Sequence, residues 1–293
     1  IKVSIGVAPT KVLSKVANRL AKKNKQATNC VLVLDTEEKI NAALQKTQVD
    51  DVWGIGGRYA LKLHQWQIDT AYQLKNMDIE WVRKNLGGVV GVRLIKELRG
   101  ECAMEMEEEL INKKMIATTR MFGSPVTDIK DIKEAVATYT SRAAEKLRRQ
   151  RGAAKVISVF IVPKEESHST YFRHGPTLSS YTTLPVATCI THELIKPALQ
   201  LAEHLYEEGR VYKKAGVMLS GIVDDNSVQG NLFFPEQKTK ERFLMNMIDN
   251  VNFSMRDDVL KFASSGTARD WKMRQELRSK RYTTRWDELY KVK

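Results

Sequence analysis

Between Lys114 and Ile222 the apolar residues switch repeatedly between two spacings, and the order of those switches restricts the fold more than any other feature. Met115 to Phe122 alternates as a strand does, and Asp128 to Arg149 repeats at helical spacing. Lys155 to Val162 is a β-rich run with which Thr177 to Thr183 can pair. A helix over about Ile190 to Glu208 and a strand over Val211 to Ile222 complete the series. Each helix has to bury its apolar stripe, so this order predicts a four-stranded sheet backed by two helices.

The residues before this unit read differently. Ile1 to Val7 alternates with no initiator Met and no lead-in, like a strand from the middle of a sheet, so the chain is expected to be a fragment. Pro9 and Thr10 open a helix in which Val12, Leu13, Val16, Ala17 and Leu20 recur on one face through Lys23. Lys11 lies in its first turn, where free backbone N–H groups favour an anion. Cys30 to Leu34 reads as a short strand, and Thr36 starts a helix with Glu37 and Glu38 in its first turn. Residues 48–100 form short amphipathic helices split by turns at Gly54 to Gly57 and Gly87-Gly88. The acidic run from Glu101 to Glu109 reads as a linker. The end of the chain starts with a polar loop, then shows weaker helical patterns and a basic terminus.

The chain's 293 residues fit two or three units, so the expected class is α+β and multidomain. Its net charge of +13, from 48 Lys and Arg against 35 Asp and Glu, asks for a polyanionic partner, nucleic acid first. No apolar run approaches the ~20 residues of a spanning helix, and no signal segment opens the chain. Cys30, Cys102 and Cys189 are far apart and odd in number, which argues against a disulfide framework or closely spaced zinc ligands and for a reducing, cytoplasmic setting. His64 and His204 fall in helices and have no metal-ligand spacing.

Four constellations could carry chemistry. In Asp50-Asp51-Val52-Trp53-Gly54-Ile55-Gly56-Gly57-Arg58 the glycines allow a sharp turn that aims backbone N–H groups outward and lets a phosphate approach closely. An ordinary helix-helix turn would use the same glycines; the apolar pair before them, with Arg58 and Lys62, favours a helix-hairpin-helix grip. A basic set of Arg142, Lys146, Arg148, Arg149, Arg151 and Lys155, joined by Arg120, Arg210, Lys213 and Lys214 near the sheet edges, can track a duplex backbone without reading bases. Gln229-Gly230-Asn231-Leu232-Phe233-Phe234 follows the sheet in a turn-rich stretch, and its apolar side chains need either a partner pocket or the chain's own core. Near the end, Arg269, Lys272, Arg274, Arg278, Lys280, Arg281 and Arg285 interleave with Trp271, Tyr282 and Trp286. Such a stretch either stacks on a single strand or packs its aromatics into a helix, and both readings stay open.

The sequence has no Ser-His-Asp signature, no P-loop and no convincing metal-binding carboxylate pair. Asp50-Asp51, Asp224-Asp225 and Asp257-Asp258 are expected in turn or cap roles, because adjacent side chains point different ways on a strand.

Taken together, the residues resemble the UmuC branch of the Y-family translesion DNA polymerases over nearly the whole chain. Ile5-Gly6-Val7-Ala8-Pro9-Thr10-Lys11, with Leu13, Lys15 and Ala17, is similar to the family's last palm strand and following helix. Asp50 to Gly56 is similar to the thumb hairpin and Leu98-Arg99-Gly100 to the thumb's end. Ala143 to Arg148 and Lys213 to Leu219 resemble little-finger segments; Arg281-Tyr282-Thr283-Thr284-Arg285 and Val292-Lys293 resemble the UmuC-type tail. The resemblance implies a palm remnant (1–35), a helical thumb (36–104), a little finger (112–225) and a clamp-docking segment with the tail (226–293).

It also implies error-prone synthesis opposite damaged bases in SOS-type DNA damage tolerance, with two Mg²⁺ held by carboxylates that lie before residue 1. This chain alone is then expected to be inactive, with no catalytic or metal residue of its own. Lys11 matches the lysine that meets the incoming nucleotide's phosphates. Gly54, Ile55, Gly56, Arg58, Arg120, Arg148, Arg149, Lys213 and Lys214 are the expected DNA-binding residues, and Gln229, Leu232 and Phe233 the expected anchors on the β sliding clamp. Primer-template DNA, a UmuD-type accessory subunit and RecA are the implied partners, in a bacterial cytoplasm near the nucleoid. The alternative from another class is a non-catalytic DNA-binding module tethered to the clamp.

Overall fold

A computed structural model describes residues 3–105, 112–165, 176–231, 233, 239–255, 258–275, 277–283 and 285–290. The chain divides into two compact units, residues 1–110 and 111–293.

In the first unit, β1 (Ile5–Val7) pairs in parallel with β2 (Val31–Val33), joined through α1 (Lys11–Lys23) and α2 (Lys25–Thr28). Thr10 caps α1, its hydroxyl accepting from the Leu13 N–H at 3.3 Å, and Val12, Leu13, Val16, Ala17 and Ala21 are buried on one stripe. α1 lies directly on β1 because residue 6 is glycine: a Cβ there would come within 2.2 Å of the Asn18 nitrogen. Five short helices follow: α3 (Glu37–Gln45), α4 (Gly57–Gln65), α5 (Ala71–Lys75), α6 (Ile79–Asn85) and α7 (Val89–Leu98). Thr36, Thr70 and Asp78 start α3, α5 and α6 with side-chain caps, and Thr70 with Gln73 completes a capping box. Val12, Leu13 and Val16 share one core with Leu44, Leu63, Leu74, Ile95 and Leu98.

The second unit holds an antiparallel sheet in the order β3-β6-β4-β5. Its elements are β3 (Ile116–Val126), α8 (Ile129–Arg149), β4 (Gly152–Pro163), β5 (Leu178–Thr188), α9 (Thr191–Leu205), β6 (Tyr212–Asp224) and α10 (Thr239–Ser254). α8 and α9 back one sheet face, as the sequence pattern predicts. Ile132, Val136, Tyr139, Ala143 and Leu147 of α8 meet Ile157, Val159 and Ile161 of β4 and Val217 and Leu219 of β6. Fully burying each such aliphatic side chain stabilises by roughly 1.5–3 kcal/mol. Met245 of α10 and Trp271 join this core. No helix among the described residues is long and apolar enough to cross a membrane.

Candidate nucleic-acid interface

The start of α1 differs from the expectation of open N–H groups around Lys11. Glu97, 1% exposed, accepts the Val12 N–H at 3.3 Å and the N–H groups of Ala103 and Met104 at 2.8 and 3.0 Å. Burial pushes its carboxyl up, but the N–H groups of Ala103, Val12, Met104 and Lys11 outweigh this and hold its pKa below the usual value. The Lys11 ammonium donates to the Glu105 carbonyl oxygen. Residues 101–105, read from sequence as linker, thus bond back onto this unit, while 106–111 lie outside the described residues. An anion at this helix end would meet a carboxylate already in place, which leaves the lysine side chain as the attraction.

The Gly54 turn is anchored from both sides. Val52, buried at its start, accepts the Ile55 N–H at 3.0 Å. Asp51 holds Arg19 and, at 2.6 Å, Lys23 of α1, and Asp50 lies 2.7 Å from His64 Nε2. His64 Nδ1 is 2.5 Å from Asp69, and the hydrogen bonds to Asp69 and then Asp50 raise the imidazole pKa. The adjacent aspartates do point apart, but they act as ion-pair partners and not as caps.

Gly54 has φ +105°, a conformation costly for a residue with a Cβ. Gly56 and Gly57 differ: a Cβ on either would meet nothing within 4 Å. Gly56 is the N-cap of α4 and has no side-chain cap; its carbonyl takes the Tyr59 and Ala60 N–H groups. The N–H groups of Gly56, Gly57 and Arg58 make no hydrogen bond among the described residues. Three amide donors without a partner among the described residues thus belong to exposed residues at the positive end of a helix, Arg58 among them.

The second unit distributes its basic residues between the two sides of the sheet. Met121 pairs with Lys214 and Thr119 with Gly216, on the face turned away from α8. There the Lys214 ammonium sits 5.8 Å from the Phe160 ring centroid, and the ring lies over Gly216, where a Cβ would be only 2.3 Å away. Lys213 is half-buried beside it. Arg120 pairs with the buried Ala215 and so lies on the opposite, helix-covered side, with the exposed Arg149 at the end of α8.

Arg148 corrects the sequence reading. Its side chain is 8% exposed, it grips Asp249 of α10 at 2.6 and 2.7 Å, and its Nη1 donates to the Cys189 carbonyl at 2.7 Å and the Thr191 hydroxyl at 2.9 Å. A guanidinium with those bonds made inside the fold is not available to a phosphate. Asp249 lies 101 residues away, so no local pattern could have identified it.

Phe233 is 90% exposed, its N–H bonded to Asn231 Oδ1 at 3.0 Å, and Gln229 is also exposed; Leu232 lies outside the described residues. Of the tail aromatics, Trp271 is buried against Phe122 and Tyr139, Tyr282 stacks on Tyr290 at 5.1 Å, and Trp286 is 89% exposed. Thr284, Val292 and Lys293 lie outside the described residues.

Among the described residues, His192, Glu193 and Glu241 bring potential ligand atoms within 4.8 Å of one another. The set does not fit Mg²⁺, which asks for octahedral oxygen ligation.

Residues 113–232 match the impB/mucB/samB family C-terminal domain, and residues 242–292 match a domain of unknown function, DUF4113. The chain is 35% identical to Protein UmuC of Salmonella typhimurium over 293 residues, covering 99% of this chain and 68% of that one. It is 34% identical to Protein ImpB of Salmonella typhimurium, covering 97% of this chain and 66% of that one. It is 23% identical to DNA polymerase IV of Streptococcus mutans, covering 80% of this chain and 59% of that one. Identity above a third over nearly every residue, carried through both the sheet unit and the α10 and tail segment, places this chain in the UmuC branch of the Y-family DNA polymerases.

Proposed function

We propose that this chain is the DNA-holding portion of an error-prone translesion polymerase of SOS-type damage tolerance, and that the Gly54–Arg58 turn grips the backbone of primed DNA. One observation carries this reading: the amide donors of the exposed residues 56, 57 and 58 at the start of α4 have no partner among the described residues, and a Cβ on Gly56 or Gly57 would meet nothing within 4 Å. A phosphate fits such donors without regard to base sequence. Lys214 on the outward sheet face, with the half-buried Lys213 next to it in β6, extends the contact along the duplex, and Lys11 meets the phosphates of the incoming nucleotide. The carboxylates for Mg²⁺ chemistry belong, in this reading, to residues outside this sequence.

Phe233 supports a second element, a peptide that docks on the sliding clamp through Gln229, Leu232 and Phe233, since so exposed an aromatic gains most from a partner's pocket. A UmuD-type subunit, RecA and a cytoplasmic site near the nucleoid enter through the family likeness alone.

Fluorescence anisotropy with a primer-template duplex tests the grip. Gly57→Ala and Arg58→Glu are expected to lower duplex affinity about tenfold across sequences, with thermal unfolding unchanged. Unchanged affinity in both variants removes the turn from the interface.

A further inference from the structure

A large groove in the second unit is used by nothing described so far. It encloses about 1520 Å³ on the helix-covered side of the sheet, between α8 with the edge of β3 and the segment 252–281. One wall carries Arg120, Arg142, Lys146 and Arg149; residues 139, 142, 146 and 149 form a stripe along one side of α8. The other carries Lys272, Arg274, Arg278 and Arg281. Against these eight cations stand two carboxylates, Glu145 and Asp258. Both carboxylates are engaged, Glu145 with Arg149 at 2.5 Å and Asp258 with Arg142 at 2.7 Å. Arg120, Lys146, Lys272, Arg274, Arg278 and Arg281 form no ion pair among the described residues.

The second wall is fastened to the first. The Gly123 N–H donates to the Trp271 carbonyl at 3.0 Å, and a Cβ at Gly123 would stand 2.3 Å from the Lys272 oxygen. Asp258 joins Arg142 of α8 to Arg269. Burial first, and then the neighbouring Arg120, Lys113 and Arg142, push the Lys146 pKa down against the opposing effect of Glu145.

A second observation is independent of charge. A recess of about 60 Å³, sharing Arg120, Tyr139, Arg142 and Lys272 with the groove, is also lined by Thr138 and Trp271. The Thr138 hydroxyl and the Trp271 indole N–H are buried and have no hydrogen-bond partner among the described residues; the two residues are only 6% and 3% exposed. An indole N–H only donates, and a buried donor left unpaired costs about 1–3 kcal/mol. The recess thus sets two unsatisfied polar groups close to Arg120, Arg142 and Lys272, and it is these cations that suit it to an anionic acceptor. At the rim, Phe253 is 72% exposed with the Arg149 guanidinium 5.9 Å from its ring centroid, a platform on which a base can stack.

We infer that this groove binds a single strand of nucleic acid, its phosphates along the two basic walls and a base on Phe253. A groove with an exposed aromatic at its rim suits a few nucleotides of one strand, whose unpaired bases can stack on the ring; in a duplex the bases are already paired and stacked on one another. The site is distinct from the outward sheet face and from the Gly54 turn, so it stands whether or not those hold primed duplex.

The test uses the full chain and labelled oligo-dT of about 12 nucleotides, within the ~4–16 that such grooves cover. Anisotropy is read over a salt series, with a blunt duplex and poly-L-glutamate as competitors. Lys272→Glu with Arg278→Glu is expected to weaken oligo-dT binding about tenfold and flatten its salt slope, since each phosphate contact contributes ~0.7 to that slope. Duplex affinity is expected to stay unchanged. Phe253→Ala and Trp271→Phe are each expected to weaken oligo-dT binding several-fold with the salt slope kept. Unchanged oligo-dT affinity in the charge-reversed protein overturns the inference, as does poly-L-glutamate displacing the oligonucleotide at equal charge, which would assign the groove to an acidic polypeptide. If the double reversal does not unfold cooperatively, Lys272→Ala with Arg278→Ala carries the same decision, with about a threefold loss expected.

Discussion

Arg148 and Asp249 form a two-point ion pair, Nε to Oδ2 at 2.6 Å and Nη2 to Oδ1 at 2.7 Å, which ties α8 of the sheet unit to α10 of the segment beyond it. Such planar pairing fixes direction as well as distance. It also explains how a basic residue near the end of a helix can be structural while its neighbour Arg149 stays exposed.

Removing one partner leaves the other charge buried. Asp249→Ala is expected to cost about 3 kcal/mol in chemical denaturation, the low end for a buried pair because the Asp249 side chain keeps 22% exposure. The double change Arg148→Met with Asp249→Leu is expected to cost clearly less than that single one. Equal losses would show that the pair carries little of the α8 to α10 link.

The turn glycines have different duties and separate in a stability measurement. Gly54→Ala, at φ +105°, is expected to cost about 1–2 kcal/mol. Gly57→Ala meets no neighbouring atom and is expected to fold within a few tenths of a kcal/mol of the parent. A large loss at Gly57 would mean that its place in the turn is structural.

His64 makes the stability of the first unit depend on pH. Its pKa is raised in the folded state by Asp69 and Asp50, so its contribution is fully present below the ordinary value of 6.5. That contribution is lost as pH rises through the raised folded value. Unfolding midpoints of the parent and His64→Gln are expected to differ at about pH 6 and converge at about pH 9. A gap that is constant across that range would contradict the bridging role.

Glu97 works in the opposite direction. Its folded pKa is lowered, so its contribution is present above the ordinary value of 4.5 and is lost as pH falls through the folded value. Glu97→Gln keeps the shape but not the charge, and is expected to cost about 1–3 kcal/mol near pH 7 and to flatten the acid limb of the stability profile. An unaltered acid limb would place the sensitivity elsewhere.

The docking peptide is tested by Leu232→Ala with Phe233→Ala. Clamp capture in a pull-down with purified sliding clamp is expected to be abolished, while duplex DNA affinity stays within about twofold because neither side chain carries charge. Full capture by the variant would assign Phe233 another partner.

What was legible in the sequence was local. Apolar spacing located every strand and both helices of the β3-to-β6 unit, although β3 and β5 run four and five residues past the ends read from sequence, at Val126 and Thr188; burial of one face imposes that spacing whatever lies opposite. Thr10 and Thr36 start their helices as read, because a cap needs only a hydroxyl and its own next turn. Gly54 to Gly57 marked its turn for the same reason.

Tertiary structure decided what those elements meet. Alternation along β3 cannot say that Arg120 faces the helices and Met121 the open side, because a one-residue shift in register exchanges the two faces. Asp249 selects Arg148 across 101 residues, and Trp271 enters a core built from β3 and α8. Propensity acts over a few neighbouring residues and so fixes the backbone. Only the packing of distant segments fixes which charges are neutralised inside the protein and which, along the groove of α8, are left for a partner.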